Sequence, residues 1–181
     1  MLTTLAAGFL AATAQSALSS DRSVCDSDTA TPDESIPACT RVIARNPDDA
    51  TAYYNRGIGY KQRKQYDKAI ADYTTAIEID PKYAIAYNNR CAAYNMIDKY
   101  ELAIKDCTKA LALRPNYANA YAGRAIAYEG LHDIASAIDD YRDALKADPT
   151  YKLALDALAR LGDHQDDAAP SAVAAAAAAD R

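Results

Sequence analysis

The chain has 181 residues and a mass of 19.5 kDa, which leaves room for one domain or one short repeat array. Its formal net charge is −5 and its pI is about 5.0, so it lacks the basic surface with which proteins neutralise phosphate groups. These values argue against a large multidomain enzyme and against nucleic acid as a partner.

Residues 1–19 are predicted to be a secretory signal peptide. Residues 2–18 are apolar or small and uncharged, and Ala12-Thr13-Ala14 offers a site for signal peptidase. No Lys or Arg precedes this run, so the alternative of a cytoplasmic protein with an uncleaved tail stays open. The run is too short and too interrupted for a membrane-spanning helix, which needs about 20 apolar residues. We therefore expect a periplasmic or secreted protein with no stable membrane anchor.

The next stretch predicts a loop followed by one helix. Residues 20–34 are predicted to form the loop, and residues 35–49 a capping helix that ends near Pro47. Ser35 is the expected N-cap, and Pro37 is tolerated in the first turn because an N–H there has no helical partner. This helix lies in the register of the repeats that follow, so it corresponds to half a repeat.

A period of 34 residues organises the middle of the chain. Most of the 14 Tyr recur at this interval, and each period contains two helical patterns separated by a short turn. Proline ends the second helix of each period, because it cannot continue a helix. The recurring prolines are Pro47, Pro81, Pro115 and Pro149.

Small residues recur where the two helices of a pair would approach most closely. Larger apolar residues form a stripe at helical spacing, so each pair buries one face against its neighbour. The small residues are Gly57, Cys91 and Ala125 in the first helices and Ala69, Ala103 and Ala137 in the second.

The end of the chain predicts a cap and a tail. Residues 152–162 are typical of a capping helix with Gly162 as its stop, which the open end of a repeat array needs. Residues 163–181 run through Pro170 into consecutive Ala and are predicted to be a disordered tail.

This pattern resembles the tetratricopeptide repeat family, whose aromatic, small, Tyr, Ala, aromatic, Ala and Pro positions are met in turn. Its departures are mild, since Arg replaces Leu in one column and Cys107 replaces an aromatic residue. The resemblance implies an all-α fold, an α-solenoid of antiparallel helix pairs. Its three full repeats would be residues 50–83, 84–117 and 118–151.

In this family the first helix of each repeat lines a concave surface that binds peptides. The resemblance implies that this surface combines Asn amides, which can hydrogen-bond a peptide backbone, with apolar contacts. The implied peptide-binding residues are Tyr54, Ile58, Lys61, Gln62, Asn88, Asn95, Met96, Asn119 and Ile126. Co-chaperone members also grip a C-terminal carboxylate with Lys, Asn and Arg, but only Asn89 fits that clamp here, so we expect none.

An Arg column and an Asp column run through the repeats with a constant separation of 16 residues. They are Arg56, Arg90 and Arg124, and Asp72, Asp106 and Asp140. The favoured interpretation is one ion pair within each repeat, and the alternative is a row of Arg that binds anions.

The four Cys fall into two pairs that could oxidise in an exported protein. A bridge between Cys25 and Cys39 would tie the N-terminal loop onto the capping helix, against the alternative of two unrelated thiols. Cys91 and Cys107 lie on facing helices of one repeat and are equally consistent with a bridge or with buried, inert thiols.

The sequence offers no catalytic or metal-binding constellation. His132 and His164 stand apart from each other and from the Cys, and no Gly-rich phosphate loop or nucleophile elbow is present. We therefore expect no metal, no cofactor and no enzyme. The expected function is that of a scaffold or adaptor in the cell envelope that binds another protein or a peptide. The alternatives are a cytoplasmic co-chaperone-like adaptor and a structural homo-oligomer.

Overall fold

The computed structural model describes residues 19–162. The expected signal peptide and C-terminal tail lie outside the described residues, apart from Ser19. Within the described range the chain forms helices and no strands, and a helical segment over residues 19–25 precedes eight longer helices. These are α1 Pro32–Arg45, α2 Ala50–Gln62, α3 Tyr66–Ile79, α4 Ala84–Asn95, α5 Tyr100–Leu113, α6 Ala118–Gly130, α7 Ile134–Ala147 and α8 Lys152–Gly162.

The helices pack as a solenoid. Each packs on the helix before and after it, and α2 with α3, α4 with α5 and α6 with α7 form the three antiparallel pairs. The first helices of successive pairs, α2, α4 and α6, also contact one another and so share one surface. The predicted all-α solenoid is confirmed.

The core is built from small residues facing aromatic rings. Ala69, Ala103 and Ala137 are completely buried, as are the rings of Tyr73 and Tyr141. A Cβ added to Gly57 would lie 2.6 Å from Cε1 of Tyr73, so only glycine lets that ring pack against α2. Close approach between paired helices therefore depends on the small columns of the repeat.

The Arg and Asp columns form the predicted ion pair inside each repeat. Arg90 donates from Nε to Oδ2 of Asp106 at 2.6 Å and from Nη2 to Oδ1 at 2.8 Å, and the other two repeats have the same paired geometry. Arg90 also donates from Nη1 to the Thr74 hydroxyl of the preceding repeat at 2.9 Å. Arg56 and Arg124 make the corresponding bonds to Thr40 of α1 and Thr108 of α5. The favoured interpretation is confirmed, and each Arg also links its repeat to the helix that precedes it.

The start of α1 differs from the prediction. Ser35 is buried inside the helix, and Thr31 is the N-cap, with Pro32 at the first helical position. The Thr31 hydroxyl donates to Oε2 of Glu34 at 2.7 Å and the Thr31 backbone N–H donates to the same oxygen at 2.9 Å, and these two bonds lower the pKa of Glu34. The predicted N-cap was wrong, because Thr31 and Glu34 form a reciprocal cap one turn earlier.

The region before α1 is more ordered than a loop. Asp21, in the helical segment 19–25, accepts hydrogen bonds at 2.7 Å from both Arg41 and Arg45 of α1. These bonds lower the pKa of Asp21 to about 2. The expectation of a loop over residues 20–34 was wrong for its first part, where the segment is helical and held against α1.

Two disulfides connect neighbouring elements. Cys25 and Cys39 lie with their sulfurs 2.15 Å apart and join the segment 19–25 to α1, while Cys91 and Cys107, at 2.11 Å, join α4 to α5. No helix within residues 19–162 has the length and apolar character to cross a bilayer.

Candidate peptide-binding groove

A groove of about 510 Å³ lies on the surface shared by the first helices. The structure brings six of the nine expected binding residues together around it, and we call this feature the central groove. The six are Lys61, Asn88, Asn95, Met96, Asn119 and Ile126. The walls also contain residues that sequence reasoning did not assign to it, namely Tyr66, Gly123, Tyr151 and Leu153.

The other three expected residues do not line the central groove. Tyr54 packs between the rings of Tyr73 and Tyr83, with centroid distances of 5.9 and 5.1 Å. Ile58 and Gln62 line a separate small cavity of about 80 Å³ under residues 25–30.

A covering loop explains this departure from the repeat pattern. Residues 26–30 lie against α2, and Nδ2 of Asn55 donates to Oδ1 of Asp26 at 3.1 Å. The Cys25–Cys39 bridge anchors the start of this loop. The surface of the first repeat is thus partly occupied by the chain itself, and the open groove begins at the end of α2.

A polar chain closes the N-terminal side of the central groove. Nζ of Lys61 donates to Oδ1 of Asn89 at 3.0 Å, and Nδ2 of Asn89 donates to the Tyr54 hydroxyl at 2.7 Å. Burial lowers the pKa of the Lys61 ammonium, because its charged form loses hydration. Lys61 is the one charged residue among the described residues that line the central groove. The groove therefore has little charge with which to select a ligand.

Two asparagines hold unused hydrogen-bonding capacity. Asn88 is only 9% exposed, and within residues 19–162 its side chain makes no hydrogen bond. Asn95 donates from Nδ2 to the Gly123 carbonyl at 2.7 Å, while its buried Oδ1 has no partner in the described structure. The polar atoms of Asn88 line the groove and keep contact with solvent, so its amide can hydrogen-bond a bound group without first breaking a contact within the protein.

The opposite edge of the central groove is apolar. Met96, Ile126 and Leu153 are 59%, 37% and 43% exposed and line the same groove, so they form a contiguous apolar patch. Met96 is the C-cap of α4, Ile126 lies on α6 and Leu153 on α8, so together they form a strip along three successive first helices. A ligand that lies along the groove would bury them.

The Cys91–Cys107 bridge supports the floor of the central groove. A Cβ added to Gly123 would lie 2.9 Å from Sγ of Cys107 and 3.4 Å from Sγ of Cys91, so α6 packs directly on the disulfide. The Gly123 carbonyl orients Asn95 at the same point. The bridge thus sets the position of two groove residues.

The surface continues into a second hollow at the C-terminal end. This hollow has a volume of about 650 Å³ and shares Ile126 and Leu153 with the central groove. Its polar side is internally paired: Glu129 accepts from the Tyr141 hydroxyl at 2.6 Å and from Nη2 of Arg160 at 2.7 Å. No cluster of His, Cys, Asp or Glu within residues 19–162 could hold a metal ion.

Tetratricopeptide repeat models match residues 50–83, 84–117 and 118–151, which are the boundaries that the period predicts. The chain belongs to the tetratricopeptide repeat family. The match covers more than half of the sequence, and the family comprises modules for protein–protein interaction. A comparison with curated proteins found no match.

Several solved tetratricopeptide repeat (TPR) structures are similar to this chain. The Arabidopsis OM64 TPR domain is 34% identical, with a TM-score of 0.63, over 64% of this chain and 95% of that domain. The first TPR of Spaghetti (RPAP3), bound to the HSP90 peptide SRMEEVD, is 31% identical, with a TM-score of 0.61, over 63% of this chain and 90% of that one.

Two further structures extend this comparison. The second TPR domain of human RPAP3, in complex with the HSP70 peptide SGPTIEEVD, is 35% identical, with a TM-score of 0.58, over 61% of this chain and 92% of that domain. The crystal structure of MamA has a TM-score of 0.70 at 24% identity, over 75% of this chain and 79% of that one, and shows a shared fold.

Proposed function

We propose that this chain is a scaffold or adaptor that binds an extended, uncharged or amphipathic segment of another protein in the central groove. Two similar TPR domains were solved with peptides bound, which supports a peptide as the class of ligand. The groove spans three first helices and the start of α8, a length that suits an extended segment.

The observation that carries the proposal is the unpaired amide of Asn88. An Asn side chain offers two donors and one acceptor with two lone pairs, and a peptide backbone supplies the complement of both. Asn88 is held nine-tenths buried on α4 with this capacity unused. A peptide unit bound beside it would satisfy the amide, and side chains of the same peptide would cover Met96 and Ile126.

The charge of the groove favours a different ligand from the acidic peptides of the two similar domains. Lys61 is the one cation along the described walls, its pKa is lowered by burial, and it already donates to Asn89. A terminal carboxylate would find no second cation in the central groove. The proposed ligand is therefore an internal segment rather than an acidic C-terminus.

Export to the cell envelope is part of the proposal. It is supported by the two Cys pairs at bonding distance, because such bridges persist in oxidising compartments. Intact mass and thiol titration of the natively expressed protein test it. A cleaved N-terminus with no free thiol is the expected result, and four free thiols on an uncleaved chain would contradict it.

Peptide binding can be tested with a display library of random peptides, to which the peptides SRMEEVD and SGPTIEEVD are added. We expect the selected sequences to be uncharged or amphipathic and the two acidic peptides to bind weakly. Asn88→Ala should weaken the best selected peptide by about five-fold or more, since a lost buried hydrogen bond costs roughly 1 kcal/mol or more. The matched control is Asn116→Ala, an exposed Asn outside the groove lining. Equal loss in both variants, or selection of acidic C-termini, would contradict the proposal.

A further inference from the structure

The second hollow repeats the central groove one period further along the chain. Six of the eight described residues that line it stand 34 positions after a residue that lines the central groove. These six are Ile126, Glu129, Leu153, Asp156, Ala157 and Arg160. Because equivalent positions of a repeat array lie on the same face of their helices, the two hollows are successive copies of one site.

The second hollow is part of the concave surface. Its walls come from α6, α7 and α8, so it lies between helices and not on the outer side of the last one. It shares Ile126 and Leu153 with the central groove, so one ligand could lie in both. Its volume of about 650 Å³ is larger than the 510 Å³ of the central groove, so it has room for a large side chain.

The two copies of the site differ in chemistry. One period after Asn95 and Asn119 of the central groove stand Glu129 and Leu153 of the second hollow. Leu153 offers apolar area at the position where Asn119 offers an amide for hydrogen bonds. The second copy therefore selects a different chemical group from the first.

The charges of the second hollow are already paired. The two carboxylate oxygens of Glu129 accept from the Tyr141 hydroxyl at 2.6 Å and from Nη2 of Arg160 at 2.7 Å. Nζ of Lys152 donates to both carboxylate oxygens of Asp156, at 2.9 and 2.8 Å. The four charged side chains along the described walls thus sum to zero, and a charged ligand group would have to displace a partner. An uncharged group would not.

We propose that the second hollow binds a large uncharged side chain, aromatic or aliphatic, of the same partner segment that occupies the central groove. Such a side chain would lie on Ile126, Leu153 and Ala157 and leave both ion pairs in place. The inference rests on the proposed function, because the segment in the central groove supplies the side chain. The continuity of the two hollows favours this occupant over a separate ligand.

The spacing of the helices sets the position of this side chain in the segment. Packed helices lie about 8–10 Å apart, and an extended chain rises about 3.3 Å per residue, so one period along the groove corresponds to about three residues. The second hollow lies between α6 and α8, and Asn88 lies on α4. We therefore expect the side chain about four residues from the peptide unit beside Asn88.

Photo-crosslinking from the peptide tests this placement with the wild-type chain. A photoreactive amino acid replaces each residue of the best selected peptide in turn, and mass spectrometry maps the products. We expect one apolar position of the peptide to link to residues 156–160, which line only the second hollow, and positions about four residues away to link to α4. Links to α4 without any to residues 156–160 would overturn the inference and leave the proposed function standing. Links to neither would overturn both.

A change of charge tests the chemistry of the second hollow. On the wild-type chain, Glu at the apolar peptide position should weaken binding by about ten-fold, because the apolar contact is lost. Glu129→Gln keeps an acceptor for the Tyr141 hydroxyl but leaves Arg160 without its carboxylate, so it should reduce that penalty by about two- to five-fold.

The matched control is Glu101→Gln, which removes an exposed carboxylate of α5 that lines neither hollow. It should leave the penalty unchanged. Equal penalties for the wild-type chain and Glu129→Gln would overturn the inference, and so would a preference of the wild-type chain for Glu at this peptide position. Binding of the unaltered peptide to Asn88→Ala is measured in parallel, since it reports on the proposed function alone.

Discussion

Repeats 1 and 2 solve the same packing problem with different chemistry. In repeat 1 the bare Cα of Gly57 lies against the buried ring of Tyr73, and in repeat 2 the same two columns hold Cys91 and Cys107, joined by a disulfide. Both solutions keep the helix pair close while the Arg–Asp pairs retain one geometry. The 34-residue period thus specifies a separation between helices rather than a particular pair of side chains.

The two repeats also differ in what lies over them. Residues 26–30 cover part of the first helix of repeat 1, whereas that of repeat 2 presents Asn88, Asn95 and Met96 to the open groove. The disulfide under Gly123 stiffens the floor of the repeat that is accessible. The binding surface and the covalent support therefore coincide in repeat 2.

The largest expected effect tests the ring-based packing of repeat 1. Tyr73→Ala should lower the free energy of unfolding by about 3–5 kcal/mol, because the substitution leaves a cavity at a fully buried site. Urea unfolding followed by circular dichroism measures this change. A loss below about 1 kcal/mol would show that the ring does not hold this helix pair together.

The next effect tests the covalent packing of repeat 2. Cys91→Ala/Cys107→Ala should lower the free energy of unfolding by about 3 kcal/mol, the value expected for a bridge that closes a loop of this length. The matched control is Cys25→Ala/Cys39→Ala, whose bridge lies outside repeat 2. Only the first variant should weaken binding of the selected peptide, and equal weakening would contradict the role of the bridge under the groove.

A smaller effect separates Tyr73 from its column mate in repeat 3. The Tyr141 hydroxyl donates to Glu129, whereas the buried Tyr73 hydroxyl has no partner within the described residues. Tyr141→Phe should cost about 1.5–3 kcal/mol through loss of a hydrogen bond to a charged group, while Tyr73→Phe should cost nothing. Equal costs in urea unfolding would show that the two hydroxyls have equivalent surroundings.

The smallest effect concerns the acid stability of the helical segment 19–25, which precedes the loop over repeat 1. The pKa of Asp21 is lowered to about 2 by Arg41 and Arg45, so its stabilising contribution is present above the ordinary value of 3.8 and is lost as pH falls toward 2. We expect the protection of the amides in residues 19–25, corrected for the intrinsic pH dependence of exchange, to fall over that interval before the protection of α4 falls. Asp21→Asn should exchange faster at neutral pH and lose this pH dependence, and an unaltered pH response in the variant would contradict the assignment.

The repeats were predictable because proline and tyrosine recur at fixed positions. Pro81 and Pro115 each follow the end of a second helix because proline cannot continue a helix, so the helix boundaries could be predicted from local chemistry. Six of the nine expected binding residues reached the central groove for the same reason, since their columns fix their face of the helix.

The expected groove residues that do not line the central groove are positioned by contacts that do not recur from repeat to repeat. Ile58 lies beneath residues 26–30, and that loop is held by the Asp26–Asn55 bond between parts of the chain far apart in sequence. Leu153 belongs to the predicted capping helix, and the structure places it beside Ile126 in the central groove. The N-cap had a local signal, because Thr31 and Glu34 with Pro32 between them match a capping box.

The most direct test of the central claim is site-specific photo-crosslinking of a bound peptide. A photoreactive amino acid replaces Met96 in one variant and Gln62 in another, so that one probe lies in the central groove and the other lies beside the loop over repeat 1. With the selected uncharged peptide, we predict crosslinking at position 96 and little at position 62, and competition by unlabelled peptide. Preferential crosslinking at position 62, or none at position 96, would contradict binding in the central groove.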